Sequence, residues 1–291
     1  MNFIISVIVI ALTLIVFGTM IAFYFRDPNH KETLPFLLKA KLFMAGVVGF
    51  IADTVGIGSF AVIIAFSKLW KLTHDKNLPG LVNGAQVLPG AIESIVFLKV
   101  IHVDPLTLIV LVVGACIGGI IGGLTVPKLN QKHIQMTMAV AFVSMAAIIL
   151  LSQLQWLPIG GVETKLRGGH LWLGFFGMII CGFVPALGVG LFAIVEMLLF
   201  LLGLSPLIAF PIMTTAGALQ QPLTTLTFTL NRAIPLKKVF IVSIAGVMGV
   251  LMAVPFITHL PLNLLRWLLF FIVGYNAFSM FRSYWRTRRR G

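Results

Sequence analysis

Apolar runs about 20 residues long recur along nearly the whole of this chain, and they constrain its fold more than any other feature. Coiled as a helix at about 1.5 Å per residue, such a run matches the roughly 30 Å hydrocarbon core of a bilayer. Seven segments fit simply, at 2–24, 80–101, 106–127, 134–152, 206–229, 239–258 and 263–281. The longest polar stretches, Arg26 to Lys41 and Gln153 to His170, are too short to be soluble domains. Hydrophobic residues make up 59% of the chain and charged ones 10%, against about 25% charged in a soluble domain. The chain reads as an all-α polytopic membrane protein. Its first apolar run lacks a basic leader and a small-residue cleavage site, so it reads as a retained helix rather than a signal peptide.

Two further runs do not fit simply. Leu42 to Ser67 is interrupted by Asp53-Thr54-Val55-Gly56-Ile57-Gly58-Ser59, and Leu171 to Leu202 by Pro185-Ala186-Leu187-Gly188-Val189-Gly190. As one helix the second run would be about 48 Å long, more than tilt absorbs comfortably. Proline and paired glycines at its middle also oppose a continuous helix. A re-entrant hairpin accounts for both runs: two half-length helices meet at a glycine-containing tip and return to the same side.

Charge tests that topology. The net charge is +13, and the basic residues sit between apolar runs, as the positive-inside rule describes. With the N-terminus outside and both broken runs re-entrant, most of the 21 basic residues fall inside. Reading both runs as full crossings moves Lys68, Lys71, Lys76, Lys128 and Lys132 outside and weakens the bias. In the re-entrant topology Arg266 and Lys99 lie near outer helix ends, where long basic side chains can snorkel. The tail Arg282 to Gly291, with Tyr284, Trp285 and its arginines, reads as a cytoplasmic anchor on membrane lipids rather than a nucleic-acid site.

The broken runs resemble each other. Gly56-Ile57-Gly58-Ser59-Phe60-Ala61 answers Gly188-Val189-Gly190-Leu191-Phe192-Ala193, and Gly90-Ala91-Ile92-Glu93 answers Gly217-Ala218-Leu219-Gln220. Each broken run is followed by three apolar segments. The expected organisation is an N-terminal helix and loop at 1–41, repeat 1 at 42–152, an outer linker at 153–170, repeat 2 at 171–281 and a basic tail at 282–291. With re-entrant hairpins each repeat crosses an odd number of times, which makes the copies inverted. Inverted repeats with broken helices near mid-membrane are a recurring transporter design.

Two halves that each open on an apolar G-x-G run, followed by a segment rich in small and polar residues and a glycine-rich helix such as Gly114-Ala115-Cys116-Ile117-Gly118-Gly119-Ile120-Ile121-Gly122-Gly123, resemble the sulfite exporter TauE/SafE family over residues 42–281. The resemblance implies secondary transport of small sulfur-containing anions, sulfite or organosulfonates, across a bacterial inner membrane. Family members often carry a richer glycine tip than Gly56-Ile57-Gly58-Ser59 or Gly188-Val189-Gly190-Leu191.

The candidate site follows from the tips. Backbone that leaves helical geometry at membrane depth must line a cavity or be buried in protein. A half-helix starting after a tip offers free N–H groups and a positive dipole end. Gly56, Ile57, Gly58 and Ser59, with Gly188, Val189 and Gly190, could therefore cradle an anion without a buried lysine or arginine. Asn83 and Gln86 in one half, and Thr214, Thr215, Gln220 and Gln221 in the other, add neutral hydrogen-bonding groups. Asp53, Glu93 and Glu196 are the acids inside apolar runs; ionisable groups there are costly and usually functional. A carboxylate repels an anion until it is protonated, so these acids are candidates for coupling to a proton co-substrate. Asp53 also suits a simpler role, as a cap at the hairpin tip.

Cys116 and Cys181 lie in apolar segments, and no metal-ligand spacing involves them or the six histidines. No nucleophile–base set or phosphate loop is present either, so neither an enzyme nor a cofactor is expected. The alternative function is a lipid-phosphate translocase or a non-transport membrane accessory protein. It is weakened by the lack of mid-segment basic residues for a headgroup.

Overall fold

The computed structural model describes residues 2–28, 33–97, 103–157, 160–255 and 262–290. Among them are eleven α-helices and no strand: α1 Asn2–Arg26, α2 Phe36–Thr54, α3 Ser59–Trp70, α4 Leu78–Phe97, α5 Pro105–Thr125, α6 Gln131–Gln153, α7 Gly168–Phe183, α8 Phe192–Leu201, α9 Pro206–Leu230, α10 Leu236–Ala253 and α11 Leu262–Arg290. Local chemistry marks several starts. Asp104 accepts the Thr107 N–H and Asn130 the His133 N–H, while Pro105 and Pro206 open α5 and α9 where no N–H is needed.

Five helical stretches are long and apolar enough to cross a membrane: α1, α5 with its terminal turn, α6, α7 with the turn Val184–Leu187, and α10. Large apolar side chains face outward, Phe36, Ile180, Phe271 and Phe278 among them. A soluble protein rarely exposes so much contiguous apolar surface; lipid covers it here.

Both broken runs double back. In a straight helix Gly49 and Ile63 would stand about 21 Å apart, yet a Cβ on Gly49 would lie 2.7 Å from Cγ1 of Ile63. Likewise a Cβ on Gly177 would lie 2.7 Å from Cδ1 of Leu198, where a rod would separate them by about 31 Å. The base of the second hairpin is tied shut: Glu163 N–H donates to the Gly203 carbonyl and Ser205 N–H to the Glu163 carbonyl. At the tips Gly56 and Gly188 both adopt positive φ, 91° and 88°, a conformation that costs a residue with a Cβ about 1–2 kcal/mol.

Packing is preserved when the two halves are exchanged. α2 lies on α10 as α7 lies on α5; α4 lies on α10 as α9 lies on α5; α3 touches α11 as α8 touches α6. The pairs α4–α9 and α6–α11 map onto themselves, and α1 stands outside the exchange. Glycines let the backbones touch at both α2–α10 and α5–α7. A Cβ on Gly46 would sit 2.6 Å from the Val242 carbonyl oxygen, and one on Gly114 2.6 Å from that of Phe175. Small residues at helix crossings are the membrane substitute for a hydrophobic driving force.

Four expectations need correction. The arms of the hairpins are unequal rather than half-length: α2 has 19 residues and α3 12, so the first arm alone, about 28 Å long, nearly equals a bilayer core. The tips accordingly run past each other, with Gly190 beside Cβ of Phe60. The first hairpin begins at Phe36, which puts Lys39 and Lys41 in the opening turns of α2 rather than in the preceding loop. The basic tail from Arg282 to Arg290 is no separate segment, because α11 continues through it. His30, Lys31, Lys99, His102 and His259, and the expected segment ends at 98–101 and 256–258, lie outside the described residues.

Candidate functional site

The hairpin tips, α4, α6, α9 and α11 enclose one cavity of about 340 Å³. Its floor is Asp53 to Phe60 from the first tip and Gly190 to Ala193 from the second. From there it reaches the helix ends at Ser152, Pro206 and Arg266 on one face of the protein. The second tip closes it from the other face. Asn83 Nδ2 donates to the carbonyls of Pro185, at 2.7 Å, and Pro79, at 2.8 Å, while Gly188 abuts Met138, Ile64 and Pro79. Basic residues gather on that closed face. Lys68 pairs with Asp75 at 2.6 Å and donates to Ser283, and Lys238 donates to the Leu72 carbonyl.

The first tip is held by a closed ring of hydrogen bonds. Asp53 Oδ1 accepts the Ser59 N–H at 2.8 Å, Gln86 Nε2 donates to Asp53 Oδ2 at 2.8 Å, and Ser59 Oγ donates to Gln86 Oε1 at 2.7 Å. All three residues are buried. The expectation that α3 presents bare amides to a guest is corrected for Ser59, whose N–H is already bonded to Asp53. The reason is local, since the chain turns within five residues and brings a carboxylate back over the positive end of the next helix.

Glu93 lies beside this ring. Thr54 Oγ1 is 2.7 Å from Glu93 Oε1 and 2.9 Å from the Phe50 carbonyl. A hydroxyl has one hydrogen to give. With Glu93 ionised, Thr54 donates to it. With Glu93 protonated, the carboxyl donates to Thr54, which then gives its own hydrogen to Phe50. Both states keep the hydrogen bond between Thr54 and Glu93 Oε1 without moving a heavy atom. Glu93 Oε2 is buried and makes no hydrogen bond among the described residues. Glu196 meets Arg266 at 3.4 Å near the mouth, with side chains 35% and 39% exposed.

The second tip differs. Among the described residues no side chain bonds the first N–H groups of α8, and the residue at its start is Leu191. Gln221 lines the cavity and is buried, and its carbonyl oxygen Oε1, an acceptor, has no hydrogen-bond partner among the described residues.

Of the residues singled out by sequence, Asp53, Gly56, Ile57, Gly58, Ser59, Gln86, Glu93, Gly190, Glu196, Thr214 and Gln221 line the cavity. Asn83, Gly188, Val189, Thr215 and Gln220 do not. Asn83, Gly188 and Val189 belong to the closure behind it, and Val189 is fully buried in the core. Gln220 donates to the Gly182 carbonyl at 3.0 Å and to Thr224 at 2.6 Å, which ties α9 to α7. Ser94, a polar group of the same apolar segment as Glu93, is a buried hydroxyl on the wall. Sequence reasoning missed Thr54 as the partner of Glu93. It treated Arg266 as an edge residue, whereas Arg266 pairs with Glu196. The adjacency of Thr54 to Asp53 was the available signal for the first; nothing local in sequence links positions 70 residues apart. Among the described residues no three His, Cys, Asp or Glu side chains gather as a metal site.

Cavity and fold together define a multi-pass helical membrane protein whose broken helices meet around a closed-ended chamber. Comparison with protein-family models, curated proteins and solved structures gives no match.

Proposed function

We propose that this protein is a secondary transporter with two inverted repeats, seated in a bacterial inner membrane with its N-terminus outside and its basic C-terminus in the cytoplasm. Its substrate is a small sulfur-containing anion, sulfite or an organosulfonate, the class implied by the resemblance to sulfite exporters. One observation carries the reading: a chamber large enough for such an anion is lined by both hairpin tips, reaches one face, and is shut from the other by a single tip. Exchanging the roles of the two halves would open it to the opposite face, which is how inverted repeats give alternating access.

The charges agree with an anionic guest once partners are counted. The Asp53 carboxylate is matched by the α3 helix end and the Gln86 amide, and Glu196 by Arg266. Glu93 is the acid on the wall with neither a cationic partner nor a helix end among the described residues. Its proton is the coupling proton: Thr54 can donate to the ionised carboxylate or accept from the protonated one, and when Glu93 is neutral it no longer repels the anion.

One observation favours a second reading. The wall holds three carboxyl groups against one guanidinium, which would suit a small organic cation if all three were ionised. Uptake into proteoliposomes decides between the two. Labelled sulfite, thiosulfate and methanesulfonate are each offered with and without a proton gradient, with methylammonium as the cation. Saturable, gradient-stimulated flux of a sulfur anion is expected. Flux of methylammonium alone would replace the anion reading with the cation one, and flux of none would remove both.

A further inference from the structure

Two ion pairs stand at opposite ends of the molecule, and they differ in tightness. At the closed face Lys68 meets Asp75 at 2.6 Å, with side chains 12% and 13% exposed. At the mouth Glu196 meets Arg266 at 3.4 Å, and both side chains are far more open to solvent. The inner pair is also the hub of a larger clasp. Lys68 Nζ donates to Ser283 Oγ at 2.7 Å, which ties α3 to α11. Gln135 Nε2 donates to Asp75 Oδ2 at 2.7 Å, which ties the turn after α3 to α6. Asn276 Nδ2 donates to the Ala61 carbonyl at 2.8 Å, a second bond between α11 and α3.

We propose that this clasp, centred on Asp75, is the gate that keeps the chamber shut from the closed face, and that the Glu196–Arg266 pair is its counterpart at the mouth, each tightening as the other parts. The inference rests on the transport reading and deepens it by naming the contacts that alternate.

Three observations converge on these side chains. The second tip, which closes the chamber, rests on the helices the clasp joins: Gly188 abuts Ile64 of α3 and Met138 of α6. The open route passes between α8 and the ends of α6, α9 and α11. Exchanging the halves carries that route to the gap between α3 and the ends of α11, α4 and α6, which the clasp bridges. The same exchange turns the α8–α11 contact of Glu196 with Arg266 into one between α3 and α6, the elements that Asp75 and Gln135 join. The clasp is not repeated at the mouth: with Gly56 aligned on Gly188, Lys68 answers Phe200, an apolar residue of the chamber wall. A bond made in only one of two states favours that state, and its loss shifts the population to the other.

The test is sided labelling of one reporter thiol. With Cys116 and Cys181 replaced by alanine, Ala193→Cys puts the thiol on the chamber floor. A membrane-impermeant thiosulfonate is applied to intact cells and to inverted vesicles; the transport reading puts the closed face inside. With the clasp intact the thiol is expected to react from outside. Asp75→Asn removes the charge and one acceptor oxygen. It is expected to raise the inside rate about tenfold or more and to lower the outside rate. Glu196→Gln, which weakens the opposite pair, is expected to leave the inside rate no higher than before. An unchanged inside rate in folded Asp75→Asn protein, or a rise from both sides, would overturn the inference and leave the transport reading standing. So would a raised inside rate in Glu196→Gln. A thiol that reacts from neither side in any variant would show a chamber without access, and the transport reading would fall with this inference. Should Asp75→Asn fail to fold, Ser283→Ala, which removes a single bond at a half-buried position, decides alone by the same two rates.

Discussion

The Asp53 carboxylate accepts the backbone N–H of Ser59 at 2.8 Å, closing the first hairpin across its own tip. Removing that carboxylate has two costs. A lost helix cap is worth about 1 kcal/mol, and the stranded Gln86 amide adds about 1–3 kcal/mol. Asp53→Ala is therefore expected to destabilise the protein by roughly 2–4 kcal/mol, and Asp53→Asn by less, because its oxygen can still cap. Thermal unfolding in detergent measures both. Equal midpoints for Asp53→Ala and the unmodified protein would show that the ring does not hold the tip.

The proposed coupling role of Glu93 needs a group that gains and loses a proton, which an amide cannot do. Glu93→Gln retains an oxygen to accept the Thr54 hydrogen but has no proton to exchange. Its expected phenotype is anion flux that no longer responds to a proton gradient, measured in proteoliposomes across a pH series. Flux with its full pH dependence intact would remove Glu93 from the coupling role.

The hairpins were legible because a membrane leaves few choices. A glycine- and proline-broken run too long to span and too apolar to leave the bilayer must double back, and the repeated Gly-x-Gly-x-Phe-Ala pattern located both tips. The unequal arms were not legible: helix length inside a bundle is set by where neighbours such as α10 and α5 stop, not by the run itself. The site was partly legible for the same reason. Polar residues in apolar runs pointed to the right helices, but which face each occupies depends on packing. Gln220 and Gln221 are adjacent in sequence, yet the first turns to α7 and the second to the chamber. Glu196 and Arg266 come together only through the fold.

Close helix contact supplies a third prediction. A Cβ on Gly182 would collide with the backbone of Ala115. Neither neighbour is a flexible side-chain end, so α7 and α5 must separate. Gly182→Val is expected to abolish monodisperse folded protein in size-exclusion chromatography. Gly56→Ala has open space around it but positive φ, and is expected to fold with a loss of about 1–2 kcal/mol.

At the start of α5 the Thr107 N–H and hydroxyl, with Lys165 and Arg167 nearby, hold Asp104 below the usual carboxylate range. A lowered folded-state value means that the stabilisation is complete above the unfolded-state value, about 3.9. It is lost as pH falls from there through the folded value. Asp104→Asn should therefore show a shallower fall in thermal midpoint below about pH 4 than the unmodified protein. Parallel acid profiles would mean that Asp104 contributes nothing.

The central claim, two hairpins entering from opposite faces, is tested most directly by sided cysteine labelling in intact cells and inverted vesicles. With Cys116 and Cys181 replaced by alanine, single cysteines go at Thr33 and His74, flanking the first hairpin, and at Thr164 and Ser205, flanking the second. Thr33→Cys and His74→Cys are expected to react from the cytoplasmic side only, and Thr164→Cys and Ser205→Cys from the outside only. Labelling of the first two from opposite sides, or of all four from one side, would contradict the account.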